Sequence, residues 1–347
     1  MLGPSLSVKG GISSLERMID EQNFEDVNLE ILPTMHDRSL IGRFSHWLIR
    51  LITWPLRSIF HRPDIVHIHF SHGASTVRKT ALLWLWKISG SKVILHSHSS
   101  SFQSFFPKLP SPLRWFISFS FRKADMLIVL SESWKSYYSL TMRIPESRIN
   151  ILSTPVMLPS RESNIKVKNT VFFSGRIGVR KGTFDLIEAW NLLPEEITNE
   201  YNLIISGDGE INKARRLAAS CKNPHSIEVV GWVSEDRFSS ILQSCKIYVL
   251  PSRNEGLPMG LIEAMSHSKA VITTPVGGIP ELINHGQNGI LVEPGNIEQI
   301  KNSLQNLISN PSEVERLSIN SRKSVEPLSM DIYKENLLSL WKEVLGC

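Results

Sequence analysis

The sequence predicts an α/β protein of two doubly wound, Rossmann-like domains that face one another across a cleft. Three observations carry that expectation. Short apolar runs alternate with helix-period runs along the whole chain, the signature of strand–helix–strand units and parallel sheets. The alternation pauses at a polar stretch, residues 160–169, and then restarts, so there are two series. At 347 residues the chain can bury two cores of ordinary size. The expected domains are residues 1–160 and 161–330, with a C-terminal helix near 331–347 packing back on the first.

The first series opens on Lys9-Gly10-Gly11, ahead of a helical run with Ile12, Leu15, Met18 and Ile19 on one face. A glycine pair before a helix lets the backbone approach an anion, and equally makes a plain turn. Such a loop should follow a buried strand, yet only Met1 and Leu2 stand ahead of Gly3-Pro4. The first strand is therefore expected to be clipped or very short. Leu29–Leu32 and Ile65–Phe70 read as strands. Between them Leu40, Phe44, Trp47, Leu48, Leu51, Leu56 and Ile59 keep helical spacing, and Arg43, Arg50 and Arg57 recur every seven residues. That basic stripe reads either as a solvated face or as a membrane-surface contact.

Leu82–Ile88 is helical, and Lys92–Leu95 is a strand that runs into His96-Ser97-His98-Ser99. A histidine at the carboxyl end of a parallel strand faces a ligand crevice and can donate to a hydroxyl or phosphate. Loop histidines satisfied by hydrogen bonds are the plainer alternative. Next comes a basic-aromatic segment with Phe102, Phe105, Phe106, Lys108, Arg114, Trp115, Phe116, Phe119, Phe121, Arg122 and Lys123. It suits either a bilayer headgroup region or burial against the domain's own sheet. Ala124–Leu130 is the last clear strand, and Ser131 to Ser133 begin a helix. Ile149–Pro155 closes the series.

Val171–Phe173 opens the second series and leads into Gly175, Arg176, Lys181 and a helix with Phe184, Leu186, Ile187 and Ala189. Two cations in a glycine-rich loop after a buried strand make a diphosphate clamp. Leu203–Ser206 ends in Gly207-Asp208-Gly209, and Ile227–Val230 ends in Gly231-Trp232-Val233 before a helix at Asp236–Gln243. Ile247–Leu250 is a buried strand followed by a loop with Glu255, then a helix whose core face is Leu261, Ile262, Ala264 and Met265 and which carries Glu263. Ala270–Thr273 is the next strand, closed by Gly277-Gly278. A carboxylate and several backbone N–H groups thus gather at the carboxyl end of a sheet, next to a helix N-terminus.

Composition narrows the classes. Cys221, Cys245 and Cys347 are widely spaced and odd in number, which disfavours a disulfide framework or a zinc site and fits a reducing compartment. Neither an 18-residue apolar run nor a signal-peptide core is present, so a cytoplasmic protein is expected. Residues 1–160 carry 18 Lys and Arg against 11 Asp and Glu, and residues 161–347 carry 20 against 22. The basic half is also the aromatic half, a pairing suited to anionic membrane surfaces or polyanions. No recognised nucleic-acid motif accompanies the charge.

The ordered motifs resemble the retaining glycosyltransferases of family 4, of GT-B fold. They are Lys9-Gly10-Gly11; PDIVHIH at Pro63–His69; His96 and His98; ADMLIVLSES at Ala124–Ser133; GRIGVRKG at Gly175–Gly182; SGDGE at Ser206–Glu210; and GWV at Gly231–Val233. EGLPMGLIEAM follows, with Glu255 and Glu263 eight positions apart, and GGIPELI and NGILVEPGN close the set. The resemblance implies that Arg176 and Lys181 hold the donor's diphosphate after the Gly175 turn, and that Glu263 hydrogen-bonds the ribose. Glu255, with the backbone of Gly256, Leu257, Pro258, Met259 and Gly260, would meet the transferred hexose and distal phosphate. Asp208, Gly231, Trp232 and Val233 would lie near the base. His98, with His96 in reserve, would be the first-domain histidine, and Gly10 and Gly11 would approach the phosphates or acceptor. The family works without a bound metal or other cofactor, and no Asp-x-Asp motif stands here. Two departures are the short first strand and Thr154, which stands where the family usually has Asn; the latter is expected to alter a turn.

The function so implied is hexose transfer from a nucleotide sugar to a sugar or lipid-linked acceptor, in surface-polysaccharide assembly at the inner face of a membrane. The alternatives are a nucleotide-sugar epimerase of the same fold and a catalytically impaired nucleotide-sugar-binding homologue. Nucleic acid is not an expected partner.

Overall fold

The computed structural model describes residues 1–6, 8, 10–25, 27–35, 62–159 and 167–347. Lys9 and the stripe of Arg43, Arg50 and Arg57 lie outside the described residues. The chain forms two compact units. Unit 1 is Met1–Pro155 with Met330–Cys347, and unit 2 is Val156–Ser329. The C-terminal helix Met330–Leu345 thus belongs to unit 1.

Unit 1 holds β1 (Leu2–Pro4), β2 (Leu32–Met35), β3 (Ile65–Phe70), β4 (Lys92–Ser97), β5 (Met126–Val129) and β6 (Ile149–Ile151). They form one parallel sheet in the order β2-β1-β3-β4-β5-β6. β1 is only three residues long but interior, pairing Leu2 with Leu32 on one side and with Ile68 on the other. β2 begins where the sequence expectation of Leu29–Leu32 ended. Pro33 reads as a strand breaker, yet β2 is the sheet edge, where a missing N–H costs no ladder bond.

Side-chain alternation sorts unit 1 into two faces. Val66, Ile68, Phe70, Val93 and Leu95 pack with Leu82, Leu83, Trp86, Ile117 and Phe121 from the helices Ala74–Ile88 and Ser111–Phe121. Ile94, Met126 and Ile128 pack on the other side with Leu15, Ile19, Leu337 and Trp341. Each large apolar chain fully buried this way contributes about 2 kcal/mol. The basic-aromatic segment is only partly buried. Phe102, Phe106 and Phe121 are in the core, whereas Trp115 and Phe116 are exposed. No helix among the described residues is long and apolar enough to cross a membrane.

Unit 2 holds β7 (Thr170–Ser174), β8 (Asn202–Ser206), β9 (Ile227–Gly231), β10 (Ile247–Leu250), β11 (Ala270–Thr273) and β12 (Ile290–Leu291), again all parallel, in the order β12-β11-β10-β7-β8-β9. Val171, Phe172 and all of β10 are buried on both faces, as a sheet covered by helices requires. The chain winds outward from β7 to β9 and then crosses back to place β10 on β7's other side. The loops after β7 and β10 therefore meet at the switch point, where ligands bind in such folds.

Candidate functional site

Topology alone brings together residues 74 positions apart in unit 2. Lys181 donates to Glu255 Oε1 in an ion pair, and Ser252 Oγ donates to the same oxygen at 2.6 Å. Arg180 lies 3.8 Å from Glu255 Oε2 and also donates to the Asn254 carbonyl at 3.1 Å. Glu255 is 6% exposed. A buried carboxylate survives only when paired and hydrogen-bonded, and this one is both. Arg180 and Ser252 were not singled out from the sequence. The basic Arg180-Lys181 pair was a signal for the first, whereas nothing in the sequence marked the second.

Glycine makes the node geometrically possible. Gly182, at φ +70°, comes so close to β10's end that a Cβ there would sit 2.0 Å from the Pro251 carbonyl. A Cβ on Gly207 would meet the Gly175 carbonyl at 1.7 Å, and next to it Ile177 N–H donates to the Asp208 carbonyl at 2.6 Å. Arg176 is exposed, with its stem beside Gly209. An open depression of about 670 Å³ is lined by Gly209, Lys213, Gly231 and Trp232 among others, so two of the expected base-side residues border real space. Asp208 and Val233 are half-buried next to it in the chain.

Gly256, Leu257 and Pro258 are buried, and Met259 and Gly260 open the helix Met259–Ser266. Glu263 is on that helix and half-buried. Burial, with help from Glu235, pushes its carboxyl up to about 7, so near neutrality it is poised between acid and carboxylate.

Unit 1 gathers histidines. His67 and His69 on β3, His96 on β4 and His98 just beyond it share the second face, and the rings of His96 and His98 lie 4.1 Å apart. His67 Nε2 meets His96 Nδ1 at 3.2 Å, and His69 Nδ1 meets His98 Nε2 at 2.8 Å. Burial holds all four rings far below the usual histidine range, and takes His98 to about 3, so they are neutral. His96 is fully buried, whereas His98 is half-buried. Gly10 precedes the helix Gly11–Asp20, and space is open around its backbone. Glu16 of that helix lies 3.9 Å from His69 Nε2. Thr154 is buried at the end of the unit.

His67, His69 and His96 each offer a nitrogen within 4.8 Å of the others. Their proton pattern does not suit a cation. The Trp341 indole N–H only donates, and it faces His67 Nδ1 at 3.2 Å. His67 then carries its proton on Nε2, donates to His96 Nδ1, and leaves His96 protonated on Nε2. A ligating ring keeps a lone pair toward the ion and donates from its other nitrogen. This chain of rings is set the opposite way.

Two parallel six-stranded sheets covered by helices place the protein in the doubly wound α/β class. The chain belongs to the glycosyltransferases of family 4 and group 1: the model described as Glycosyltransferase Family 4 matches residues 16–158, and the one described as Glycosyl transferases group 1 matches residues 159–324. An uncharacterized glycosyltransferase of Haemophilus influenzae is 28% identical over 223 residues, 64% of this chain and 61% of that protein. The chain thus spans less than two thirds of that relative's length. The amylovoran biosynthesis glycosyltransferase AmsK of Erwinia amylovora is 24% identical over 82% of this chain and 72% of its own. Among solved structures, Anabaena HepE in complex with UDP superposes with a TM-score of 0.71 at 14% identity, covering 90% of this chain and 86% of that one. The fold is GT-B.

Proposed function

We propose that the chain transfers a hexose from a nucleoside-diphosphate sugar to a sugar or lipid-linked acceptor, with retention of anomeric configuration. The observation that carries this reading is the Lys181–Glu255–Ser252 node, set between glycine loops at the switch point with Arg176 and Arg180 alongside. Breaking the sugar–phosphate bond leaves charge on a diphosphate. Fixed cations and N–H dipoles stabilise that charge as it develops. In this reading Arg176 and Lys181 hold the diphosphate and supply its charge compensation without a bound metal. Glu255 and the backbone of Gly256–Gly260 meet the hexose, Glu263 meets the ribose, and Asp208 with Gly231–Val233 borders the base. His98 donates to the transferred sugar, and Gly10 and Gly11 approach phosphate or acceptor.

A polysaccharide acceptor is in keeping with AmsK's part in amylovoran biosynthesis, and a lipid-linked one at the inner face of a membrane with the exposed Trp115 and Phe116 and the exposed Lys108 and Lys123 of the same segment. The test is a panel of UDP-, GDP- and ADP-sugars, with and without chelator, read by thermal shift, nucleotide release and the anomer of the product. One nucleotide class should stabilise the protein, and turnover should persist in chelator with the donor's configuration kept. No stabilisation by any nucleoside diphosphate would contradict the reading.

A further inference from the structure

The mechanism above uses His98 and leaves His69 and Glu16 unexplained. Glu16 is fully buried, yet among the described residues both its oxygens lack a hydrogen-bond partner, as does His69 Nε2, the ring atom 3.9 Å away. Nor is the placement loose. The helix Gly11–Asp20 sets Glu16 over β1 at Gly3, where any Cβ would sit 1.5 Å from Glu16 Oε1. A glycine is what admits the carboxyl to the sheet. The ring on the far side of His69 is His98, bonded at 2.8 Å. Three groups in a row, Glu16, His69 and His98, thus need only one short rotation, of about 1 Å, to become a continuous hydrogen-bonded line.

We infer that Glu16 and His69 are positioning residues for His98, and that they decide whether His98 presents an N–H donor or a bare lone pair to the ligand. The inference rests on the proposed role of His98.

The line has two proton arrangements. When Glu16 is an acid, its O–H donates to His69 Nε2, His69 Nδ1–H donates to His98 Nε2, and His98 keeps a proton on Nδ1. When Glu16 is a carboxylate, it accepts from His69 Nε2–H, His69 Nδ1 accepts from His98 Nε2–H, and His98 Nδ1 is a lone pair. Passing from the first to the second moves the Glu16 proton to His69 Nε2 and the His69 Nδ1 proton to His98 Nε2. The His98 Nδ1 proton is released to solvent or substrate. One proton leaves in all, and the charge rests on Glu16. Neutral rings allow this, because no imidazolium forms at either end.

The groups that face Glu16 set where the change occurs. Burial raises its carboxyl to about 8, while Lys79 and the Met1 amine oppose the rise. Lys79, from the helix Ala74–Ile88, is itself buried and donates to the Leu2 carbonyl and to Thr34 Oγ1. Its own value is brought down to about 7 by burial. Neutral His69 is the third facing group. Below about pH 8 the line is in the donor arrangement, which is the one a sugar hydroxyl or phosphate oxygen uses.

The test uses the full chain with ¹⁵N-labelled histidine. In the wild type the His98 ring should switch from Nδ1–H to Nε2–H as pH rises through about 8, and Glu16→Gln should remove that switch. Activity should follow: wild-type kcat falls about tenfold per pH unit above that point, whereas Glu16→Gln gives a flat profile. Glu16→Ala should lower kcat about tenfold with KM little changed. A wild-type His98 that keeps one tautomer from pH 6 to 9.5, or a switch that survives in Glu16→Gln, would overturn the inference. The NMR result needs no turnover. An intact switch without any transfer would therefore count against the proposed function and leave the relay standing.

Discussion

Unit 2 ties its buried carboxylate to a cation by direct bonds, whereas unit 1 leaves its own unbonded beside a neutral ring. Glu255 is paired with Lys181, approached by Arg180 and bonded by Ser252. Glu16 has Lys79 and the Met1 amine in its field but no hydrogen bond, and its carboxyl is raised to about 8. Both residues sit near the carboxyl edge of a parallel sheet, and both are shut away from water. The difference is that one holds a fixed charge and the other a movable proton. A fixed charge suits the ordering of loops around a polyanion. A movable proton suits a group that must choose between donating and accepting.

The largest expected effect that could break this contrast is on stability. Glu255→Ala strands the Lys181 ammonium, whose side chain is 14% exposed, and should cost about 3 kcal/mol at pH 7. Glu16→Leu removes an unsatisfied carboxyl and should cost less than about 1 kcal/mol. Urea unfolding measures both, and equal losses would erase the distinction.

A smaller effect sharpens it. The folded-state value of Glu263 is raised to about 7, above the ordinary carboxyl range. Its stabilising contribution is therefore complete at pH below about 4.5 and lost as pH climbs through about 7. The stability difference between wild type and Glu263→Gln should drift in that direction across that window. A difference independent of pH would mean the carboxyl is ionised normally.

Much of the fold was legible because it rests on local pattern. The apolar runs Ile247–Leu250 and Ala270–Thr273 are strands of those bounds. β2 was displaced by three residues, since its position follows from Leu2↔Leu32 pairing along an edge that tolerates Pro33, a long-range fact. The cations and carboxylates of unit 2 were legible as residue types in glycine loops. That Lys181 would pair with Glu255 was not, because only the β7–β10 adjacency joins them. The histidine row was written in the sequence as His67-x-His69 and His96-x-His98. Its order depends on the register His69↔His96, and Glu16's part in it depends on a glycine at position 3.

The central claim is that the unit 2 node binds the diphosphate end of a nucleotide while Glu263 serves its ribose. Titration calorimetry of a nucleoside diphosphate against wild type, Lys181→Ala and Glu263→Ala tests it most directly. Each variant should lose about tenfold or more in affinity, a difference of at least 1.4 kcal/mol, and Lys181→Ala should in addition lower turnover by about a hundredfold. Unchanged affinity in both variants would contradict the account.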